Sequence, residues 1–243
     1  MNKPNQQPWT DRTNFDRNLA VVIGIDRYED ENIHDLSTPV SDANAFADLL
    51  ETEYEYKPEN ILRLIDEEAT LEQLHTLLTE KLLNELKPTD KDRLIFYFAG
   101  HGLPKNSDEG PTGYLVPQDA KLGQESSFLP MSDVYKALNQ LQCHHLLVVL
   151  DCCFAGTFRW ANSRKLIAEL ETIRREHYDR FIRHPAWQVI TSSAHDQEAL
   201  DFVKLSEDRR GNPIQVNNER HSPFALALLE ALQEGEADSQ GKR

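Results

Sequence analysis

What this chain has little of narrows it first. Cysteine is scarce, with three in 243 residues, at positions 143, 152 and 153. An odd count with two adjacent members is not a disulfide framework, and it points to a reducing compartment, here the cytoplasm. Positive charge is in deficit, with 26 Lys and Arg against 41 Asp and Glu and a formal net charge of -15. Nucleic-acid binding needs a basic surface, so that partner class is set aside. No apolar run approaches the length of a membrane span. Met1 is followed by Asn-Lys-Pro-Asn-Gln-Gln-Pro, which lacks the apolar core of a signal peptide, so no membrane partner is expected. Neither Gly-x-x-x-x-Gly-Lys-Ser/Thr nor Gly-x-Gly-x-x-Gly occurs, and nucleotide binding lacks its usual phosphate cradle.

What is present is a set of short apolar runs, each closed abruptly. Leu19 to Ile25 ends in Asp26, Leu94 to Ala99 ends in Gly100-His101-Gly102, and Leu146 to Leu150 ends in Asp151-Cys152-Cys153. Ile61 to Ile65 and Trp187 to Thr191 read as two more strands. Runs apolar on both faces are the mark of buried parallel strands. Between them lie helical patterns: one opened by Ser41 or Asp42, one from Thr70 to Leu86, one from Ser132 to about Leu141 and one opened by Ser222-Pro223, with Gly235 near its end. The stretch after His101 is rich in Pro, Gly, Asn and Asp and reads as irregular, with Tyr114 to Val116 a short strand or hairpin arm. A charged helix is expected around 162–182 and a mobile loop over 193–221. Strands alternating with helices predict an α/β fold, a mainly parallel sheet with helices on both faces in three α/β/α layers.

Two strand ends carry the chemistry. Open parallel sheets place their sites at the carboxyl ends of strands, and here one end delivers His101 and another Cys153. A thiol is a weak nucleophile until a neighbouring base takes its proton. Cys152, one residue earlier, faces the opposite way in an extended strand and reads as buried and inert. The consecutive Cys143, His144 and His145 do not converge readily on one metal, so no zinc site is expected. His34 and His221 read as surface or helix-end residues.

These residues resemble the caspase/metacaspase superfamily of cysteine peptidases. Phe98-Ala99-Gly100-His101-Gly102 is similar to its apolar–Gly–His–Gly box, and Asp151-Cys152-Cys153-Phe154-Ala155-Gly156 to the metacaspase Asp–x–Cys–x–x–Gly box. Ala20 to Asp26 with Asp42-Ala43 resembles the first strand and helix start, and Thr191 to Ala194 with His221 to Phe224 resembles the small-subunit part. A histidine about 50 residues before the cysteine fits as well. The resemblance is closer to prokaryotic metacaspase-like proteins than to animal caspases. It implies a flexible arm over 1–17, a peptidase domain over 18–235 and a flexible tail over 236–243. Within the domain it implies a large part to about 158, a linker at 159–185 and a small part from 186.

The resemblance further implies an endopeptidase with Cys153 as nucleophile, His101 as base, and the backbone N–H groups of Gly102 and Cys153 as oxyanion donors. Asp42 and Asp151 fall on the acidic positions of the first specificity pocket, which implies cleavage after Arg or Lys and protein or peptide substrates. Bland roles exist for both: a helix N-cap for Asp42 and a local backbone acceptor for Asp151. Basic residues in the linker, Arg159 and Arg164 among them, are candidate self-cleavage sites. Some members need calcium, the one cofactor worth considering, although the loop acids Asp108, Glu109, Asp119, Glu207 and Asp208 show no ordered ligand pattern. An activator protein or additional domains fit the polar ends. The alternative is a silent module that keeps the fold for assembly or signalling.

Overall fold

The computed structural model describes residues 15–107, 110–153, 186–193 and 220–239. Five strands form one parallel sheet: β1 (Arg17–Gly24), β2 (Ile61–Ile65), β3 (Asp92–Ala99), β7 (His145–Asp151) and β8 (Ala186–Thr191). Their spatial order is β2-β1-β3-β7-β8. The register sets Gly24 beside Ala99 and Ala99 beside Asp151, so these carboxyl ends finish level with one another.

The pleat divides the strand residues between two cores. Leu19, Val21, Ile23, Leu94, Phe96, Phe98, Leu146, Val148 and Leu150 pack on one face. They meet the helix α2 (Leu71–Thr76), its continuation as a π-helix over Leu77–Leu86, and α3 (Met131–Asn139). Ala20, Val22, Tyr97, Ala99 and Val149 pack on the other face with Phe46 and Leu50 of α1 (Pro39–Glu53) and Leu229 of α4 (Pro223–Ser239). Each such buried aliphatic or aromatic side chain contributes about 1.5–3 kcal/mol relative to exposure. The expected three layers are therefore present, α1 and α4 on one side, α2 and α3 on the other.

Four local expectations are corrected. Helix α1 starts at Pro39, with Thr38 at its N-cap position, because the Asp26 carboxylate accepts the Val40 N–H (2.9 Å). Asp42 thus lies within the first turn and is no cap. The stretch after His101 is not irregular: β4 (Gly102–Ser107) and β5 (Gly110–Leu115) form an antiparallel hairpin, joined by β6 (Leu129–Pro130) into a second, small sheet. Its prolines sit in a narrow ribbon, where a missing N–H is tolerated. Helix α3 begins at Met131 with Pro130 as N-cap, one residue before the expected Ser132. Helix α4 runs past Gly235 to Ser239. The Phe154-Ala155-Gly156 part of the cysteine box, the linker 159–185, Asp108, Glu109, Glu207, Asp208 and most of the loop 193–221 lie outside the described residues.

At the amino end of the sheet, buried Asp92 receives a forked pair from Arg17, Nε at 3.2 Å and Nη2 at 2.6 Å, and the N–H and hydroxyl of Thr89. Burial opposes ionisation of Asp92, but these donors outweigh it and hold the carboxyl below its usual range. Arg17 also donates to the carbonyls of Leu86 and Lys87, which ties the end of the π-helix to β1.

Candidate active site

At the end of β3 the chain must turn sharply to deliver His101. Gly100 has φ of 156°, a region that L-residues avoid, and a Cβ there would meet the Phe98 ring and the Tyr28 hydroxyl, both at 3.2 Å. The His101 N–H donates to the Tyr28 hydroxyl oxygen (2.9 Å), and the Tyr28 and His101 rings lie 5.0 Å apart. Nε2 of His101 is 2.7 Å from the carbonyl oxygen of His34. A carbonyl only accepts, so Nε2 carries the ring proton, and Nδ1 is the basic nitrogen of the neutral ring.

Tyr28 and His34 both belong to the loop between β1 and α1, and carboxylates shape that loop. Asp66 Oδ1 accepts the N–H groups of Asp26 and Arg27, Asp35 accepts that of Tyr28, and Asp30 accepts that of Leu122. Asp66 itself takes φ of 45° to do this. Burial pushes the Tyr28 phenol far above its ordinary range, so it stays neutral beside the imidazole.

The end of β7 meets the end of β3 directly. A Cβ on Gly102 would overlap the carbonyl oxygen of Cys153 and come within 3.3 Å of Cys152 Sγ. Only glycine permits this approach. His101-Gly102 and Cys153 are therefore neighbours across the sheet end. Cys152 is fully buried in the core shared with α2 and α3. Burial, with the charges of Asp151 and Cys153, pushes its thiol well up. Cys153 is half-buried and not in a disulfide. The Ser193 hydroxyl donates to the Cys152 carbonyl (2.9 Å) and fixes the turn.

Asp151 points to the opposite core from Cys152, and there it shares a pocket with Asp42. The Ser222 hydroxyl donates to Asp151 Oδ2 (2.6 Å), while the Ser222 N–H donates to Asp42 Oδ2 (3.1 Å). His221 Nδ1 lies 2.6 Å from Asp42 Oδ1. Burial pushes the Asp42 carboxyl up to about 6, although the Ser222 N–H and the His221 ring pull it down. Beneath them Tyr97, stacked on Phe46 at 4.7 Å, has a buried hydroxyl with no partner among the described residues. The charges of both aspartates act on it.

An imidazole-bearing strand end thus adjoins a thiol-bearing one, and two buried carboxylates lie at the same end of the sheet. A family model for the Caspase domain matches residues 17–241. This chain belongs to the caspase-domain family. No curated protein sequence matches it. Among solved structures this caspase domain is similar to a crystal structure of a Geobacter sulfurreducens protein, 15% identical, covering 90% of this chain and 83% of that one, with a TM-score of 0.56. It is also similar to caspase-1 from Spodoptera frugiperda, 11% identical, covering 96% of this chain and 75% of that one, with a TM-score of 0.54. At these identities the likeness is one of fold.

The five residues singled out from sequence fall at one end of this caspase domain, where Gly102, next to His101, abuts Cys153, and Asp42 and Asp151 are joined through Ser222. Sequence reasoning missed four others. Tyr28 and the His34 carbonyl act through backbone atoms and an irregular loop, which leave no pattern. Ser222 was read only as a helix cap; it does accept the Ala225 N–H (3.0 Å), but it also donates to Asp151. His221 was read as a surface residue and is instead paired with Asp42. Among the described residues no group of three His, Cys, Asp or Glu could hold a metal ion, and no helix is long and apolar enough to cross a membrane.

Proposed function

We propose that this chain is a cysteine endopeptidase of the caspase-domain family that cuts protein substrates after Arg or Lys. One observation supports this most: two buried carboxylates, Asp42 and Asp151, joined through Ser222, lie at the same end of the sheet as the contact between Gly102 and Cys153. A guanidinium or ammonium is the natural partner of two such carboxylates.

His101 Nδ1 takes the proton from the Cys153 thiol, and the sulfur attacks the scissile carbonyl carbon. The N–H groups of Gly102 and Cys153 receive the developing oxyanion. The imidazolium then gives its proton to the leaving amine as the C–N bond breaks, which leaves a thioester. Water, losing a proton to His101, attacks that thioester, and the thiol is released with the proton returned. The His34 carbonyl holds the tautomer through both halves of the cycle.

An arginyl chloromethylketone tests the reading. The inhibitor should alkylate Cys153, located by mass spectrometry, and its aspartyl counterpart should not. Labelling by the aspartyl reagent alone would sink the specificity. Labelling by neither, in a folded protein, would favour the silent assembly module. Turnover measured with and without calcium, and the sites of any self-cleavage in the linker, complete the assay.

A further inference from the structure

The acidic pocket is already occupied by the chain itself. Both oxygens of Asp42 are taken by one dipeptide, Oδ1 by the His221 ring and Oδ2 by the Ser222 N–H. The Asp42 side chain is 0% exposed while that of His221 is 18% exposed, so the imidazole lies between the carboxylate and solvent. The same dipeptide neutralises a second acceptor, because the Ser222 hydroxyl is bound to Asp151.

The two contacts differ in how easily they break. Ser222 is buried and anchored as the cap of α4, since its Oγ accepts the Ala225 N–H. His221 precedes the helix in a bend next to exposed Arg220. Rotation of its side chain would free Asp42 without unwinding α4. The Tyr97 hydroxyl below, without a partner among the described residues, offers an entering cation one more acceptor.

Resting on the reading of Asp42 and Asp151 as the pocket for a basic side chain, we propose that His221 is a specificity-determining residue: an internal ligand of Asp42 that an incoming Arg or Lys must displace. The pocket then admits only side chains that bind the carboxylates better than an imidazole does. Arg offers a planar fork of donors and a fixed charge, which outcompetes a single ring N–H. Neutral side chains cannot displace it.

The experiment uses full-length protein carrying Cys153→Ala, so that binding is read without turnover. Dissociation constants are measured by calorimetry at pH 7.5 for two peptides, one ending in Arg and one in citrulline, its uncharged counterpart. His221→Ala should tighten the Arg peptide about tenfold and leave the citrulline peptide unchanged. His221→Asn, which keeps a donor at the Nδ1 position, should restore weaker binding. The His221 ring signal in an NMR spectrum, assigned by its loss in the variant, should move with the Arg peptide only. Unchanged or weaker Arg binding in His221→Ala would overturn the displacement role alone, provided the parent still prefers Arg over citrulline. No preference for Arg in either the parent or His221→Ala would instead overturn the pocket reading beneath it. Should His221→Ala lose its fold, the NMR readout on the parent decides, with the ring signal assigned by its absence in His221→Asn, because a ring signal that stays fixed under saturating Arg peptide rejects displacement.

Discussion

The carboxyl ends of β3 and β7 lie side by side in register, yet they are held in opposite ways. His101 is clamped at two points by the loop between β1 and α1, its backbone by Tyr28 and its ring by the His34 carbonyl. Those contacts come from the first 40 residues. The β7 end depends on the last part of the chain: Ser193 holds the Cys152 carbonyl and Ser222 holds the Asp151 carboxylate. The comparison separates two tasks. His101 is positioned within the amino-terminal half, whereas Asp42 and Asp151 are joined only once α4 has docked on α1. Fixing a base calls for rigid acceptors of set direction. On the proposed reading, selecting a side chain calls for a donor that can rotate away, and the His221 imidazole can do so.

The largest test of this division is loss of either end. We predict that His101→Ala and Cys153→Ala each lower kcat/KM by more than about 10³-fold, while Cys152→Ala stays within a few-fold. A dead Cys152→Ala with normal stability would put the nucleophile in the wrong place. Gly102→Ala should be equally damaging, because a methyl group has no room against the Cys153 carbonyl.

The next pair of variants sharpens the contrast itself. Asp151→Asn should raise KM for an Arg-ending peptide by about 100-fold with a smaller change in kcat, since it weakens one charged partner in a buried pocket. Tyr28→Phe should lower kcat by about tenfold and leave KM alone, since it frees the His101 backbone without touching the pocket. If both variants moved the same parameter, the two ends would not be functionally separate. Acid should act on the pocket side. The Asp42 carboxyl, pushed up to about 6, gains a proton as the pH falls through that value. The cationic side chain then loses an anionic partner, so KM should rise below about pH 6 in steady-state assays with an Arg-ending peptide.

Two stability measurements complete the set, one at the opposite end of the sheet and one beneath the two aspartates. Asp92→Ala leaves the partly exposed Arg17 guanidinium and the Thr89 donors without their acceptor and should cost about 2–3 kcal/mol by urea titration, with kcat/KM unchanged. Because the folded-state value of Asp92 is depressed, its contribution is complete above the ordinary value of 3.8. It is lost as the pH falls through the lower folded value. Tyr97→Phe removes a buried hydroxyl that has no partner among the described residues and should change stability by less than about 1 kcal/mol, in the stabilising direction.

Much of this was legible in the residues. Continuous apolar runs marked β1, β3 and β7 because burial on both faces leaves no room for polar alternation, while the edge strands β2 and β8, which carry Arg63 and Gln188, were marked by β-branched and aromatic residues. The placement of His101 and Cys153 at strand ends followed from where those runs stop. Asp42 and Asp151 were visible through the family resemblance. The hairpin after His101 was hidden because Pro, Gly and Asn signal turns whether or not the flanking residues pair. Tyr28, His34 and His221 were hidden for a different reason. Their roles depend on which loop folds over which strand end, and backbone acceptors have no residue type to betray them.

The parity of β7 that buries Cys152 also bears on oxidation. A cysteine oxidised to sulfenic acid is commonly rescued when a neighbouring thiolate condenses with it to a disulfide. Cys152 is next in sequence to Cys153, yet its thiol is sealed in the core and held protonated by burial. A protonated thiol is a poor attacking group. Peroxide damage at Cys153 therefore has no resolving partner at the adjacent position, and protection would have to come from a small external thiol. Mass spectrometry after mild peroxide, with and without glutathione, should show a mixed disulfide at Cys153 and no Cys152–Cys153 bond.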